Sequence, residues 1–182
     1  MLRRIIEEHQ AVIDKLKIEC QDDIREFADL CRSALEAGNT IFFMGNGGSA
    51  ADSQHLAAEL VGRFERERKG LPAVALTTDT SILTAVGNDY GFDNIFVRQI
   101  EALAGIGDVV VGISTSGNSA NVVKALEKAK EAGAFTVGMT GVHGGQLAGV
   151  CEICIKVPSE VTARIQEGHI LVGHIVCQLI DE

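Results

Sequence analysis

Proline is scarce in this chain, with two residues in 182, Pro72 and Pro158. No Ser/Pro-rich, low-complexity or repeated stretch occurs, so nothing reads as a linker between domains. Basic clusters are lacking too. The net charge is −9, and the nearest thing to a basic patch, RFERERKG at residues 63–70, alternates in sign. That stretch reads as a solvated helix end or loop, with Arg63 the one side chain placed to reach a phosphate. These features argue against nucleic acid or an anionic membrane as the main partner. No apolar run approaches the ~20 residues that span a bilayer. The opening MLRRIIEEHQAV breaks into charges too early for the apolar core of a secretory signal, so a cytoplasmic protein is expected. Cysteine occurs five times, an odd number at irregular spacing, which argues against a disulfide framework. Cys151 and Cys154 form a lone CxxC at the start of an apolar strand. With no helix after it and no second pair, it reads as buried or half-buried thiols.

What is present suits one globular domain over residues 1–182, because 46% of the chain is hydrophobic. Residues 2–37 read as helix. Leu2, Ile5, Ile6, His9, Val12, Ile13 and Leu16 recur at helical spacing, followed by Ile24, Phe27, Ala28, Cys31 and Leu35. Gly38-Asn39 is the stop, and a break is expected near residues 20–23. The stripe on the first half has no partner nearby in sequence, so burial against another subunit is expected.

Beyond Gly38 the pattern becomes α/β. Short apolar runs at 40–44, 72–77, 108–114, 135–139 and 152–157 alternate with helical stretches at 49–62, 93–104 and 119–132. Runs that are apolar throughout predict strands covered on both faces. The expected fold is a three-layer α/β/α sandwich with a five-stranded parallel sheet and an N-terminal helical extension. Ligands of such sheets bind beyond the carboxyl ends of the strands. The loops to inspect are therefore 45–49, 78–93, 114–119 and 140–145.

STSGNS at residues 114–119 follows a strong strand and precedes a good helix, with Ser119 at the N-cap position. Ser114, Thr115, Ser116 and Ser119 gather hydroxyls where backbone N–H groups are free and the helix dipole is positive, which makes an anion site. No lysine follows the glycine, so it is not a P-loop. GNGGSA at residues 45–50 formally matches a dinucleotide fingerprint. No lone acidic residue ends the next strand, however, and Asn46 and Ser49 look suited to a polyol.

In the helix after that loop, His55 and Glu59 are i,i+4 and share a face with Ala51, Ala58 and Gly62. Leu56 and Leu60 are expected to point elsewhere, to the sheet. Such a face is either open space above a functional pair or a tight helix contact. The last helix, TARIQEGHILVGHIVCQLID at residues 162–181, is apolar almost all round and should be buried. It nonetheless carries Gln166, His169 and His174, with Gly173 expected to open space beside His174. His55, Glu59, Gln166 and His174 make a nitrogen and oxygen set suited to zinc or a similar ion. Gln166 lies roughly 12 Å from His174 along a helix and leans away from it, so both reach one ion only by stretching, by a helix irregularity or by coming from different chains. GNDYGFDN at residues 87–94 is dense in turn formers and has no apolar period, so a loop is expected there, with Asn88 and Asp89 able to meet sugar hydroxyls. His143, in GVHGGQL, is expected on a turn.

Together, GNGGSAADSQHLAAELVGRF, GNDYGFDNIF, STSGNSANV and the last helix resemble the sugar isomerase (SIS) domain and, within it, the phosphoheptose isomerase family. The resemblance implies an isomerase that converts sedoheptulose 7-phosphate to D-glycero-D-manno-heptose 7-phosphate, the first step toward ADP-heptose, which serves lipopolysaccharide, capsule or another glycan. It implies a homotetramer with active sites at subunit interfaces, residues 1–37 serving oligomerisation. It implies zinc held by His55, Glu59, Gln166 and His174, with Glu59 and His174 catalytic. Substrate would be held by Asn46, Gly47, Gly48, Glu59, Asn88, Asp89, Ser114, Thr115, Ser116, Ser119 and Gln166. A rival is a non-catalytic SIS scaffold that binds a partner protein such as a replication initiator. Retention of Glu59 and His174 favours the enzyme.

Overall fold

The computed structural model describes residues 1–182. Two helices lead, α1 (Leu2–Glu19) and α2 (Gln21–Glu36). They part at Cys20, whose φ of −118° and ψ of 3° leave the helical region, within the expected break. The α/β unit follows as β1 (Ile41–Gly45), α3 (Gly48–Val61), β2 (Ala73–Ala75), α4 (Thr80–Tyr90), a 3-10 turn (Phe92–Asn94) and α5 (Val97–Leu103). It continues with β3 (Val109–Ile113), α6 (Ala120–Glu131), β4 (Phe135–Gly141), α7 (Leu147–Val150), β5 (Ile153–Val157) and α8 (Thr162–Asp181).

All strand pairs are parallel, in the order β2-β1-β3-β4-β5. Alternate residues of one strand feed two cores, as the pleat requires. Ile41, Phe43, Val109 and Val111 join the core under α2, α3 and α8, with Phe27, Leu56, Leu60 and Val172. Phe42, Met44 and Val110 join the other, under α5 and α6, with Phe96, Ile100, Val122 and Leu126. This double burial is why the strands read as unbroken apolar runs. No helix is long and apolar enough to cross a membrane.

The loop expected over 78–93 is a correction. Asp79 accepts a hydrogen bond from the Ile82 N–H at 2.9 Å, and α4 runs from there until Gly91, at φ 85°, ends it. None of its residues is buried, so no apolar period marked it. Likewise α5 begins at Val97, four residues later than expected, after the 3-10 turn. At residues 63–70 the chain is mostly exposed, as expected. Arg68 departs from that: it turns inward to Asp181, 2.6 Å away, and ties the end of α8 to the segment after α3. The last helix is buried along one side only. Leu171, Ile175 and Leu179 face a groove of about 290 Å3 shared with Ile13, Leu16 and Ile24.

Candidate active site

Strand order reverses between β1 and β3, so the loops leaving these neighbours diverge and open a crevice at their carboxyl ends. Both glycine- and hydroxyl-rich loops lie there. After β1, Gly47 has φ 56°, a left-handed turn into α3 that side chains resist. Gly48 lies flat beneath the Gln166 amide: a Cβ there would come within 2.6 Å of Oε1. Ser49 is buried behind the loop, against Gly45, which withdraws it from the polyol role expected of it. Asn46 is held by a partner. Its amide is paired in both directions with Asn121, at 2.8 and 2.9 Å.

After β3, the Ser114 hydroxyl meets those of Ser119 at 2.9 Å and Ser116 at 3.4 Å. Ser119 occupies the N-cap position of α6 as expected, but its side chain makes no cap bond. Ser116 Oγ accepts the Asn118 N–H at 3.1 Å. Thr115 and Ser116 line a cavity of about 410 Å3 that also takes in Asn118, His143, Ser159 and Thr162. His143 is exposed there, bonded to Glu160 at 2.9 Å.

Helices α3 and α8 bring the second half of the site together. His55 Nε2 faces His174 Nε2 at 2.8 Å, and Glu59 Oε1 lies 3.3 Å from His55 Nε2. The three ligand-type atoms all lie within 4.8 Å of one another. The His174 ring also stacks at a tilt against Phe64, centroids 5.7 Å apart. Two imidazole nitrogens so placed share one proton, or turn both lone pairs on one cation. With a carboxylate beside them, they form a donor set that fits zinc. Gln166 sits apart, against Gly48 and Asp52, roughly one helical turn along α3 from His55.

The space read beside Gly173 is a correction. A Cβ on Gly173 would come within 2.7 Å of Leu56 Cδ1, so the glycine admits Leu56 and lets α3 and α8 pack closely. Asn88 and Asp89 stand exposed on α4, bonded to each other at 2.7 Å. Two further residues escaped the sequence reading. Asn121 looked like an ordinary first-turn residue of α6. Asp52 is buried, and its position three residues before His55 was the only clue. Burial holds its carboxyl above the usual range, against the opposing pull of the Gln166 amide and His55. Cys151 and Cys154 are both half-buried, as expected.

A family model described as the SIS domain matches residues 5–141. A phosphoheptose isomerase of Geobacter sulfurreducens is 59% identical over 94% of this chain and 90% of its own length. One of Geotalea daltonii is 58% identical over 97% of this chain and 92% of its own. Among solved structures, the phosphoheptose isomerase of Neisseria gonorrhoeae superposes with a TM-score of 0.94 at 44% identity, over 99% of this chain and 96% of that one. That of Francisella tularensis gives 0.90 at 38%, over 99% and 97%. By sequence and by fold, the chain belongs to the SIS-domain family of phosphoheptose isomerases.

Proposed function

We propose that this chain is an aldose–ketose isomerase that turns sedoheptulose 7-phosphate into D-glycero-D-manno-heptose 7-phosphate. The observation that carries the reading is the meeting of Glu59, His55 and His174, from helices more than a hundred residues apart, in a chain that also gathers the Ser114, Ser116 and Ser119 hydroxyls after β3. The reaction moves one proton between C1 and C2 and another between their oxygens through an enediol. It needs a base at carbon, an acid at oxygen and a means of stabilising negative charge. Glu59 and His174 divide the two proton transfers. Ser114, Thr115, Ser116 and Ser119, at the start of α6, take the phosphate. Asn46, the turn at Gly47 and Gly48, and Gln166 take the hydroxyls between. His55 lies roughly 10 Å along α3 from Gly48, a spread that suits an extended seven-carbon chain.

We assign a zinc ion to His55, Glu59 and His174, with Gln166 as fourth ligand once its side chain leaves Gly48 and stretches toward His55. Such an ion would supply a Lewis acid at the carbonyl oxygen, and Glu59 and His174 would carry protons only when their lone pairs are released from it. We further assign the chain, as a single domain, to a cytoplasmic homotetramer. In it α1, α2 and α8 cover one another's apolar faces, and the exposed Asn88 and Asp89 reach the sugar from a neighbouring subunit. The product would enter ADP-heptose and lipopolysaccharide synthesis. The scaffold alternative is not favoured, since near relatives bear the name of an enzyme.

The test is direct. Pure protein incubated with sedoheptulose 7-phosphate should form the aldose, detected by chromatography against both sugar phosphates. Treatment with EDTA should lower the rate, and zinc should restore it. No aldose from zinc-loaded protein rules out the substrate assignment. An unchanged rate after complete metal removal rules out the metal.

A further inference from the structure

We propose that Asn121 is a positioning residue for the isomerisation, fixing the Asn46 amide in the attitude in which it meets the sugar. The inference rests on the function proposed above. Asn46 ends the strand side of the glycine loop, and its backbone carbonyl already accepts the Ser49 N–H at 3.0 Å. Its side chain is half-buried at the crevice. Asn121, in the first turn of α6, is 2% exposed. The two amides bond reciprocally, Asn46 Nδ2 to Asn121 Oδ1 and Asn121 Nδ2 to Asn46 Oδ1.

Such a pairing uses one N–H and one carbonyl lone pair of each amide, and leaves Asn46 one of each for a ligand. Because both bonds must be kept, the plane of the Asn46 amide is set, and so are the directions of its remaining donor and acceptor. The ordering cost of this side chain is met before substrate arrives. The pair also joins the two loops that flank the crevice. Asn121 stands two residues beyond Ser119, so the sugar end and the phosphate end of the site keep a constant separation.

A double-mutant cycle tests this, with N46A, N121A and the double variant assayed for KM and kcat, and folding checked by thermal melting. Each single substitution should raise KM for the sugar phosphate by about ten-fold, the scale of one lost hydrogen bond. The double variant should be no worse than either single one, because Asn121 acts only through Asn46. N121D should fail to rescue, since a carboxylate oxygen then faces the Asn46 carbonyl. The Asn46 and Asn121 side-chain NH2 pairs should exchange slowly in the wild type, and N121A, besides removing its own, should lose the slow exchange of the Asn46 pair. Wild-type KM in N121A, or additive effects in the double variant, would overturn the proposal. If wild-type protein does not isomerise sedoheptulose 7-phosphate, the substrate reading fails. The same cycle read as thermal shift with that sugar phosphate, together with the NH2 signals, then still decides the role of Asn121.

Discussion

His169 bonds the Thr140 carbonyl through Nε2 at 3.0 Å, while its Nδ1 is buried without a partner. Burial pushes its pKa down to about 4 from the usual 6.5, against the Thr140 bond, which raises it. A group whose folded pKa lies below its unfolded one stabilises the fold fully above the unfolded value. That contribution is lost as pH falls through the folded value. Stability to urea should therefore drop between pH 6.5 and 4, with about 3 kcal/mol at stake. Glu167 and Asp181, whose pKa values are lowered, lose their contributions at lower pH. His169→Gln keeps a donor toward Thr140 but does not titrate. Urea midpoints measured across this range should fall less steeply in the variant, and parallel curves would refute the assignment.

Helices α3 and α8 run side by side in the same direction, so contacts step along both: Gly48 to Gln166, Leu56 to Gly173, His55 to His174. Their spacing is set by a leucine seated on a glycine. Gly173→Ala should push the helices apart, destabilise the fold by about 1–3 kcal/mol and separate His174 from His55. Leu56→Ala in the same chain removes the overlap and should recover part of the loss of thermal stability. A Gly173→Ala protein with unchanged melting temperature and turnover would show that the contact does not set the site. The strands were legible in the sequence because two-sided burial leaves continuous apolar runs. The hydroxyl-rich loop after β3 was legible because Ser and Thr residues cluster before a helix. The α4 helix was not, since an element that buries nothing in its own protomer has no period to read. Gly173 was misread for another reason. What a glycine admits depends on the side chain facing it, and here that side chain is Leu56, 117 residues away. The Asn46–Asn121 pair was hidden likewise, because only the adjacency of β1 and β3 brings its halves together.

At the scale of the molecule, α1 leaves Leu2, Ile5, Ile6 and Ile18 exposed, and the groove between α1, α2 and α8 stays open to solvent. In the proposed tetramer these surfaces cover one another. Leu171→Glu would place a charge in that groove, at a position clear of the His55, Glu59 and His174 cluster. Sedimentation should report a tetramer for the wild type and smaller species for the variant, with turnover falling alongside. A monomeric, fully active wild type would refute the assembly.

The account as a whole depends on Glu59 and His174 acting on the same substrate, at C1 and C2 and their oxygens. The measurement that addresses this most directly is isomerisation of sedoheptulose 7-phosphate in D2O, followed by NMR, for wild type, Glu59→Gln and His174→Asn. Wild type should deliver deuterium to C2 of the aldose. Each variant should keep its fold and lose turnover and exchange together, by about 100-fold or more. Wild-type rates of exchange and product formation in both folded variants would contradict the account.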